Sequence, residues 1–148
     1  TNDATYEITG LQLEVGDTAT DFEHRSYADE LKSCERYYQI LAKGAQTYWG
    51  GVACNYSASN VYMPIQFRTR MRASPSLVFA EGSAYYQIYD SGNTSGINFT
   101  RPQSFAYQNE IGGALYVGSS YVSGLSVGQA SLWYALDAAA LIAVEAEL

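Results

Sequence analysis

Few side chains in this sequence have the type and spacing that acid–base or nucleophilic chemistry needs. The single histidine, His24, stands between Glu23 and Arg25, and we interpret it as a surface or capping residue rather than as part of a catalytic triad. Zinc chemistry has no better support, because one histidine and two separated cysteines, Cys34 and Cys54, lack the spacing of a ligand set. We therefore expect no enzyme, no metal and no cofactor.

Carboxylates are the one alternative route to catalysis. Two acids that flank a glycosidic bond can hydrolyse it when a groove brings them together. The candidates in the C-terminal two thirds of the chain are Glu81, Asp90, Glu110 and Asp137. Their positions give no reason to pair any two of them, but a glycan-degrading enzyme remains an alternative to a binding protein.

Three arginines alternate along one predicted strand. Arg68, Arg70 and Arg72 would share a face by the two-residue period of a strand, and such a row can bind phosphate or acidic sugars. A solvated face, or pairing with acids of a neighbouring subunit, is the interpretation that we favour.

Aromatic side chains give the best functional lead, since the chain has 14 tyrosines. A tyrosine or tryptophan ring stacks on the apolar face of a pyranose, while amides and carboxylates bind its hydroxyls. Successive strand residues face opposite ways, so at least one of Tyr85 and Tyr86 should lie on the outside or at an interface. For any single ring, the alternative is a place in the core or at a subunit contact. The candidate ligand-binding residues are Tyr85, Tyr86, Tyr89, Asp90, Asn93, Tyr107, Asn109, Tyr121 and Trp49; the pairs Tyr48–Trp49 and Trp133–Tyr134 are considered with them.

Composition and charge narrow the class of protein. Of the 148 residues, 47% are hydrophobic and only 16% are charged, and the formal net charge is −7. Nucleic-acid binding is excluded, because it needs a basic surface. The longest apolar run, 138–144, is too short to cross a bilayer. We expect Cys34 and Cys54 to be small buried thiols rather than a disulfide, and the chain, which does not begin with Met, to be a fragment or a processed product.

A helix is predicted early in the chain, after an acidic lead segment. The lead (residues 1–25) should contain a short strand over 6–15. In the helical segment (26–44), Ser26 is the predicted N-cap, Asp29 supports it, and Lys43-Gly44 closes the helix at about Ala42. One face carries an apolar stripe, which is the candidate trimer interface: Tyr27, Leu31, Cys34, Tyr38 and Leu41.

From Thr47 onward, the pattern is that of one strand after another, within a globular domain over 45–148. Pro64 predicts an edge or a bulge near the start of the clearest strand. The fold predicted is mainly β, an antiparallel, jelly-roll-like sandwich preceded by one helix. Loops at 90–96 and 118–128 should present side chains to a ligand. The predicted strands are 61–73, 77–80, 85–89, 97–100, 105–108, 114–121, 131–137 and a final strand that ends at the terminus.

Several segments together resemble the C-terminal part of bacteriophage tail-fibre and tail-tip proteins. The front of the chain carries Ile8-Thr-Gly-Leu-Gln-Leu-Glu-Val-Gly16, Ala19-Thr-Asp-Phe-Glu-His-Arg-Ser-Tyr27 and Glu30-Leu-Lys-Ser-Cys-Glu-Arg-Tyr-Tyr38. Met71-Arg-Ala-Ser-Pro75 and the closing Ala146-Glu-Leu148 are similar to the same family. The stretch 80–128 carries no part of the resemblance, as expected where a host-specific surface varies.

The resemblance implies a virion protein at the distal end of a tail fibre, outside the cell, normally a homotrimer. The leading hypothesis is therefore a receptor-binding domain that attaches the phage to a bacterial surface glycan, alongside other virion tail proteins and without membrane insertion. The alternatives are a purely structural trimerisation or docking domain of the virion, and a glycan depolymerase.

Overall fold

The structure is a computed structural model that describes residue 5 and residues 7–18, 20–90 and 93–146. Within strands, the side chains of residues 49, 50 and 93–95 are not described. Strands make up 44% of the chain and helix 7%, so the prediction of a mainly β fold is confirmed.

One helix and ten strands follow each other through the described residues. In chain order they are α1 (Tyr27–Glu35), β1 (Tyr38–Lys43), β2 (Thr47–Ser57), β3 (Asn60–Gln66), β4 (Ser76–Phe79), β5 (Tyr86–Asp90), β6 (Asn93–Phe99), β7 (Ser104–Asn109), β8 (Gly112–Val117), β9 (Ala130–Ala135) and β10 (Leu141–Glu145).

These strands form two antiparallel sheets. The small sheet has the order β1-β10-β4, and the large one has the order β6-β5-β9-β2-β3-β8-β7. One core joins them, with Trp133, Tyr86 and Met63 from the large sheet and Ile142 and Val144 from the small one, all essentially inaccessible to solvent. An antiparallel sandwich preceded by one helix is therefore confirmed.

The helix is half as long as predicted. Its N-cap is confirmed, because Ser26 Oγ accepts a hydrogen bond from the Asp29 amide at 3.2 Å. It ends at Glu35, however, and Tyr38–Lys43 is strand β1, which pairs with β10. The helical spacing of apolar residues continues past Glu35. However, the aromatic and β-branched residues Tyr37, Tyr38 and Ile40 favour a strand, and β10 provides the partner that stabilises it.

The lead segment does not form the predicted strand over its described residues 7–15; Tyr6 lies outside the described residues. A strand needs a partner for its backbone groups, and no sheet edge pairs with this segment in the described part of the chain. Side chains hold a loop here instead: the Glu23 amide donates to Gln12 Oε1 at 2.9 Å, and the Thr20 amide donates to Glu14 Oε1 at 2.7 Å.

Strand boundaries also differ in four places. The strand predicted over 61–73 ends at Gln66, and the one predicted over 114–121 ends at Val117. The strand predicted over 97–100 begins at Asn93, and the one predicted to run to the terminus ends at Glu145. Pro64 is consistent with the predicted edge position, since the pairing of β3 with β2 covers Asn60 to Tyr62 and ends before the proline.

Both cysteines are free, as expected, but they are exposed rather than buried. Cys34 is on a helix that buries none of its residues, and Cys54 points away from the core on β2.

Candidate functional site

Strand alternation divides the large sheet into an inner and an outer face. On β9, Ser131, Trp133 and Ala135 are buried, whereas Leu132 is 48% exposed and Tyr134 is half-buried. The register carries this alternation to the neighbouring strands, because Tyr134 is opposite Gln87 on β5 and Tyr48 on β2. We call the side of the large sheet that faces away from the small sheet the outer face.

Three tyrosines at one end of the outer face form what we call the Tyr134 cluster: Tyr48, Tyr89 and Tyr134. The rings of Tyr89 and Tyr134 are stacked, with centroids 5.2 Å apart and planes 13° apart. The Tyr48 ring is tilted against Tyr134 at 5.3 Å and remains 65% exposed. Burial, and then the hydrogen bond and charge interaction with Tyr89, raise the pKa of Tyr134, so its hydroxyl stays protonated at physiological pH.

An open groove of about 550 Å³ lies over this cluster. Its volume falls in the range of small-ligand sites. Aromatic faces, aliphatic side chains and one amide line it, and none of the lining residues is charged: Gln46, Tyr48, Tyr89, Leu132, Tyr134 and Leu136.

Side-chain amides extend the same row of the outer face. The Tyr134 hydroxyl donates to Gln87 Oε1, and Gln87 Nε2 donates to Asn98 Oδ1 at 2.6 Å. Gln87 can lie flat on β6 because Gly96 has no side chain: a Cβ there would approach Gln87 Cδ to 2.6 Å. Gly96 also has a φ of +68°, which favours glycine.

A second group, which we call the Tyr62 cluster, lies farther along the outer face and consists of Tyr56, Tyr62, Tyr107 and Tyr116. Tyr62 stacks on Tyr116 at 4.8 Å, and Tyr56 and Tyr107 lie 6.2 Å and 6.4 Å from Tyr62. The Tyr116 hydroxyl donates to Asn60 Oδ1 at 2.9 Å. Tyr56 and Tyr107 are 75% and 81% exposed, so their rings are accessible to a ligand.

The strands of the large sheet are almost free of charge. Asp90 is their single acidic or basic residue, and it is buried next to Asn55, away from the outer face. Its Oδ2 accepts hydrogen bonds from Asn55 Nδ2 at 2.9 Å and from the Ser126 amide at 2.8 Å, which fastens the loop between β8 and β9 to the sheet.

The structure brings together only some of the predicted ligand-binding residues. Tyr89 and Tyr107 lie on the outer face, in the two clusters, and Trp49 is in β2 with its side chain outside the described residues. Tyr86 and Trp133 are core residues. Tyr85 precedes β5 and packs partly buried against the core, so neither tyrosine of the pair is on the outer face of the strand, where the alternation predicted one of them.

The predicted loop residues have structural roles. Asp90 ends β5 and is buried, and Asn93 begins β6, so the presumed loop over 90–96 is mostly strand. Asn109 Oδ1 accepts from the amides of Ile111 and Gly112 and closes the β7–β8 turn. Tyr121 is half-buried beneath the guanidinium of Arg101. Asp90, Asn109 and Tyr121 are therefore poor candidates for ligand contact, whereas the side chain of Asn93 lies outside the described residues.

Sequence reasoning missed Tyr56, Tyr62 and Tyr116, and left Tyr48 and Tyr134 as secondary candidates. Tyr62, Tyr116 and Tyr134 each lie between two buried neighbours on their strands. The signal was therefore present as a two-residue alternation. Which strands are neighbours, and hence which rings meet, is fixed only by the register.

The four acids considered for catalysis have separate partners. Glu81 pairs with Arg101 at 3.5 Å, Arg70 Nε donates to Glu110 Oε2 at 2.6 Å, and Asp137 Oδ1 accepts from the Ala139 amide at 2.7 Å. Asp90 is buried as described above. None of these contacts joins two of the four acids.

One nucleophile-like pattern, Gly124-Leu-Ser-Val-Gly128, matches the Gly-x-Ser-x-Gly motif. That motif acts through a sharp strand-to-helix turn. Here the segment connects β8 to β9, no helix follows it, and the Ser126 amide is bonded to Asp90. It therefore lacks the required context. Among the described residues, no group of three or more His, Cys, Asp or Glu side chains could hold a metal ion.

The arginine row is not a continuous strand face, because β3 ends before it. Arg68 pairs with Glu35 of α1 at 3.1 Å, Arg70 pairs with Glu110, and the Arg72 guanidinium lies 5.7 Å from the Tyr37 ring centroid. Arg68 and Arg70 are largely solvated, as one of the favoured interpretations predicted, and their acidic partners belong to the same chain.

The candidate trimer stripe lies on the surface of the chain. Tyr27 is 83% exposed, Leu31, Cys34 and Tyr38 are also exposed, and Leu41 is partly buried against the core. Every described residue between 5 and 34 is exposed. No helix in the described part of the chain is long and apolar enough to span a membrane.

Comparison of the chain with models of known protein families, with functionally characterised proteins and with solved structures gives no match. Function must therefore be inferred from the chain's own residues. What the fold defines is an antiparallel β-sandwich with a tyrosine-rich, uncharged outer face.

Proposed function

We propose that this chain is a homotrimeric domain from the tip of a bacteriophage tail fibre, which binds a bacterial surface glycan on the outer face of its large sheet. The observation that carries the proposal is the groove over Tyr48, Tyr89 and Tyr134. The resemblance of the front and end of the sequence to tail-fibre proteins supports the role in the virion.

Carbohydrate binding suits this groove because it offers both kinds of contact that a sugar needs. The accessible ring of Tyr48 can stack on the C–H face of a pyranose, and the neighbouring Tyr89–Tyr134 stack continues the same aromatic surface. The Gln46 amide and the tyrosine hydroxyls are available for sugar hydroxyls. Three copies in a trimer would raise a weak single-site affinity through avidity.

The test is binding of the purified chain to an array of bacterial capsular and O-antigen polysaccharides. We expect Tyr48→Ala to weaken binding about tenfold, since truncating a central aromatic residue of an interface typically costs about 1–2 kcal/mol. Tyr37→Ala is the matched control, because Tyr37 is 43% exposed and lies between α1 and the small sheet. An array without any bound polymer, or equal affinities for the two variants, would contradict the proposal.

A second candidate function, a trimerisation or docking domain, is favoured by the exposed apolar residues at the front of the chain. Leu11, Leu13 and Val15 are almost fully exposed, and the helix stripe adds Tyr27 and Leu31. Monomeric soluble proteins rarely expose large apolar patches, so exposed apolar side chains in this number favour a partner that covers them. This function is compatible with glycan binding, because it uses a different part of the molecule.

Light scattering separates the two functions. If the stripe forms the trimer, Leu31→Lys should reduce the trimer mass to that of a monomer and leave the Tyr48 groove intact. Lys32→Leu is the contrasting change at the adjacent position. A monomeric wild-type chain that still binds polysaccharide would remove the structural role, and a trimer that binds no polysaccharide would favour it over glycan recognition.

A further inference from the structure

We infer that the outer face binds one linear, uncharged glycan chain across both tyrosine clusters, so that the Tyr62 cluster is a second subsite beside the Tyr134 groove. This inference rests on the proposed function and specifies its ligand. It follows from the position of the two clusters, from the surface between them and from the absence of charge.

The two clusters lie on the same side of the same sheet. Tyr62 pairs with Cys54 of β2, Cys54 pairs with Ala130 of β9, and Ala130 lies four residues before Tyr134. Four residues along a strand measure roughly 13 Å and two strand spacings roughly 10 Å, so Tyr62 and Tyr134 lie roughly 16 Å apart on a diagonal. That distance calls for an oligomeric ligand, since one sugar ring cannot touch both clusters.

The described part of the path between the clusters is accessible. Its described side chains are Val52, Leu132 and Cys54, all exposed and none longer than leucine, and the side chain of Trp49 lies outside the described residues. No large or charged side chain of a described strand residue interrupts the diagonal, so a chain seated in the groove can continue over these residues to Tyr62.

Tyr107 supplies an independent observation for the second subsite. It has a φ of +53°, which is uncommon for a bulky residue. The pairing of β7 with β8 shifts just there, between Ala106 and Asn109, and the bulge directs the tyrosine ring towards Tyr62. Burial does not explain this costly geometry, because the ring is 81% exposed. Strained residues of this kind are concentrated at binding sites.

The lack of charge selects the type of glycan. An acidic polysaccharide would meet no cationic side chain on the strands of the large sheet, where Asp90 is the single Asp, Glu, Lys, Arg or His and faces inward. For the hydroxyls of a neutral sugar, the outer face offers tyrosine hydroxyls near the side-chain amides of Gln46, Asn60 and Asn98. The chemistry therefore matches a neutral polymer, with binding that is insensitive to salt.

The experiment uses the full chain with Tyr48→Ala, Tyr56→Ala and the control Tyr37→Ala. The probes are the neutral and acidic bacterial polysaccharides of the array, followed by length-fractionated fragments of whichever polymer binds. For long chains, each cluster variant should bind about tenfold more weakly than the control. For the shortest fragments, Tyr48→Ala should still weaken binding, whereas Tyr56→Ala should have no effect.

Salt provides a second readout. Affinity should change less than about twofold between 0.01 M and 1 M NaCl, although the Debye length falls from about 30 Å to about 3 Å over that range. If the Tyr56→Ala variant bound as tightly as the control at every fragment length, the second subsite would be wrong. The groove and the proposed function would be unaffected by that result. Binding restricted to acidic polymers would overturn the neutral ligand, and so would an affinity that collapses in salt.

A protein occupant is the remaining alternative, and the same variants exclude or support it. If a second copy of the chain covered the outer face, Tyr56→Ala would lower the oligomer mass in light scattering, and the inference would be wrong. No bound polysaccharide at all would remove the proposed function itself, and this outcome is distinct from each of the others.

Discussion

The first 35 residues and the outer face of the large sheet both expose apolar side chains, but they do so in opposite electrostatic settings. The first 35 residues hold nine acids and two bases, whereas the rest of the chain holds six of each. The whole formal charge of −7 therefore lies in the N-terminal quarter. On the outer face, uncharged tyrosines are embedded in a fixed sheet.

The two regions match the two proposed functions differently. Exposed apolar residues of the lead segment and of α1, set among charges, suit a polypeptide partner that supplies complementary apolar and charged groups. Flat rings held by strand pairing, with amides nearby, suit a ligand with an apolar face and many hydroxyls. The exposure of aromatic rings alone does not distinguish the two regions. They differ in the charge around the exposed side chains and in whether a sheet holds those side chains in place.

The largest expected effect comes from breaking the sheet beneath the outer face. Trp133→Ala should lower the free energy of unfolding by about 3–5 kcal/mol, because the indole is 1% exposed at the centre of the core. Leu132→Ala, its neighbour on the outer face, should cost less than about 1 kcal/mol. Urea unfolding of both variants measures the contrast, and similar losses would show that the outer face is also core.

The next effect concerns the loop that flanks the outer face. Asp90→Ala should cost about 2–3 kcal/mol, since the buried carboxylate bonds both Asn55 and the Ser126 amide. Hydrogen exchange should accelerate in residues 118–129, beyond any change in β1. Unchanged exchange in that loop would mean that its own packing, through Val122 and Leu125, is enough to hold it.

Alkaline pH should destabilise the sandwich through Tyr86. Burial raises the pKa of this phenol from 10.0 to about 12. The folded state thus favours the neutral form: the stabilisation is fully present below pH 10 and is lost as pH rises from there to about 12. In that window, the free energy of unfolding should fall by about 1.4 kcal/mol per pH unit for this group.

Tyr86→Phe tests this assignment. The variant loses the hydroxyl that lies 2.6 Å from Ala80 O and 2.8 Å from Leu141 O, and should be about 1–2 kcal/mol less stable at pH 7. Its stability should then decline less steeply above pH 10 than that of the wild type. Parallel pH curves would assign the alkaline loss to other groups, with Tyr134 the first to examine.

The smallest effect is expected in the N-terminal quarter. Ser26→Ala removes the cap of α1 and should cost that helix about 1 kcal/mol, because Ser26 Oγ no longer accepts from the Asp29 amide. In a monomer, far-UV circular dichroism should show slightly less helix and an unchanged unfolding midpoint, since α1 buries none of its residues. A lowered midpoint would show that the helix is packed against something, as in a trimer.

The fold could be predicted from the sequence where local pattern and tertiary context agree. Alternation gave β4, β5, β7 and β9 to within two residues at each end, and Ser26 was identified as a cap. Prediction failed at Tyr38–Lys43, where the helical stripe continues but β10 offers a strand partner, and at 7–15, where an alternating pattern meets no partner within the chain.

The sequence predicted the kind of candidate site, an aromatic surface, but not which residues come together to form it. Tyrosine abundance pointed to aromatic recognition, and two of the candidate ligand-binding residues, Tyr89 and Tyr107, lie on the outer face. The meeting of Tyr48 with Tyr134, and of Tyr62 with Tyr116, depends on the pairing of β2 with β9 and of β3 with β8. Such long-range register leaves no signature in a single sequence, and Tyr86 shows the converse: a candidate ring that supports the core.

The uneven charge has a consequence for how the molecule approaches a surface. Because the N-terminal quarter is strongly anionic and the rest of the chain carries no net charge, a polyanionic layer would repel that quarter and leave the sandwich unrepelled. The repulsion would act only within about 8–10 Å at physiological ionic strength.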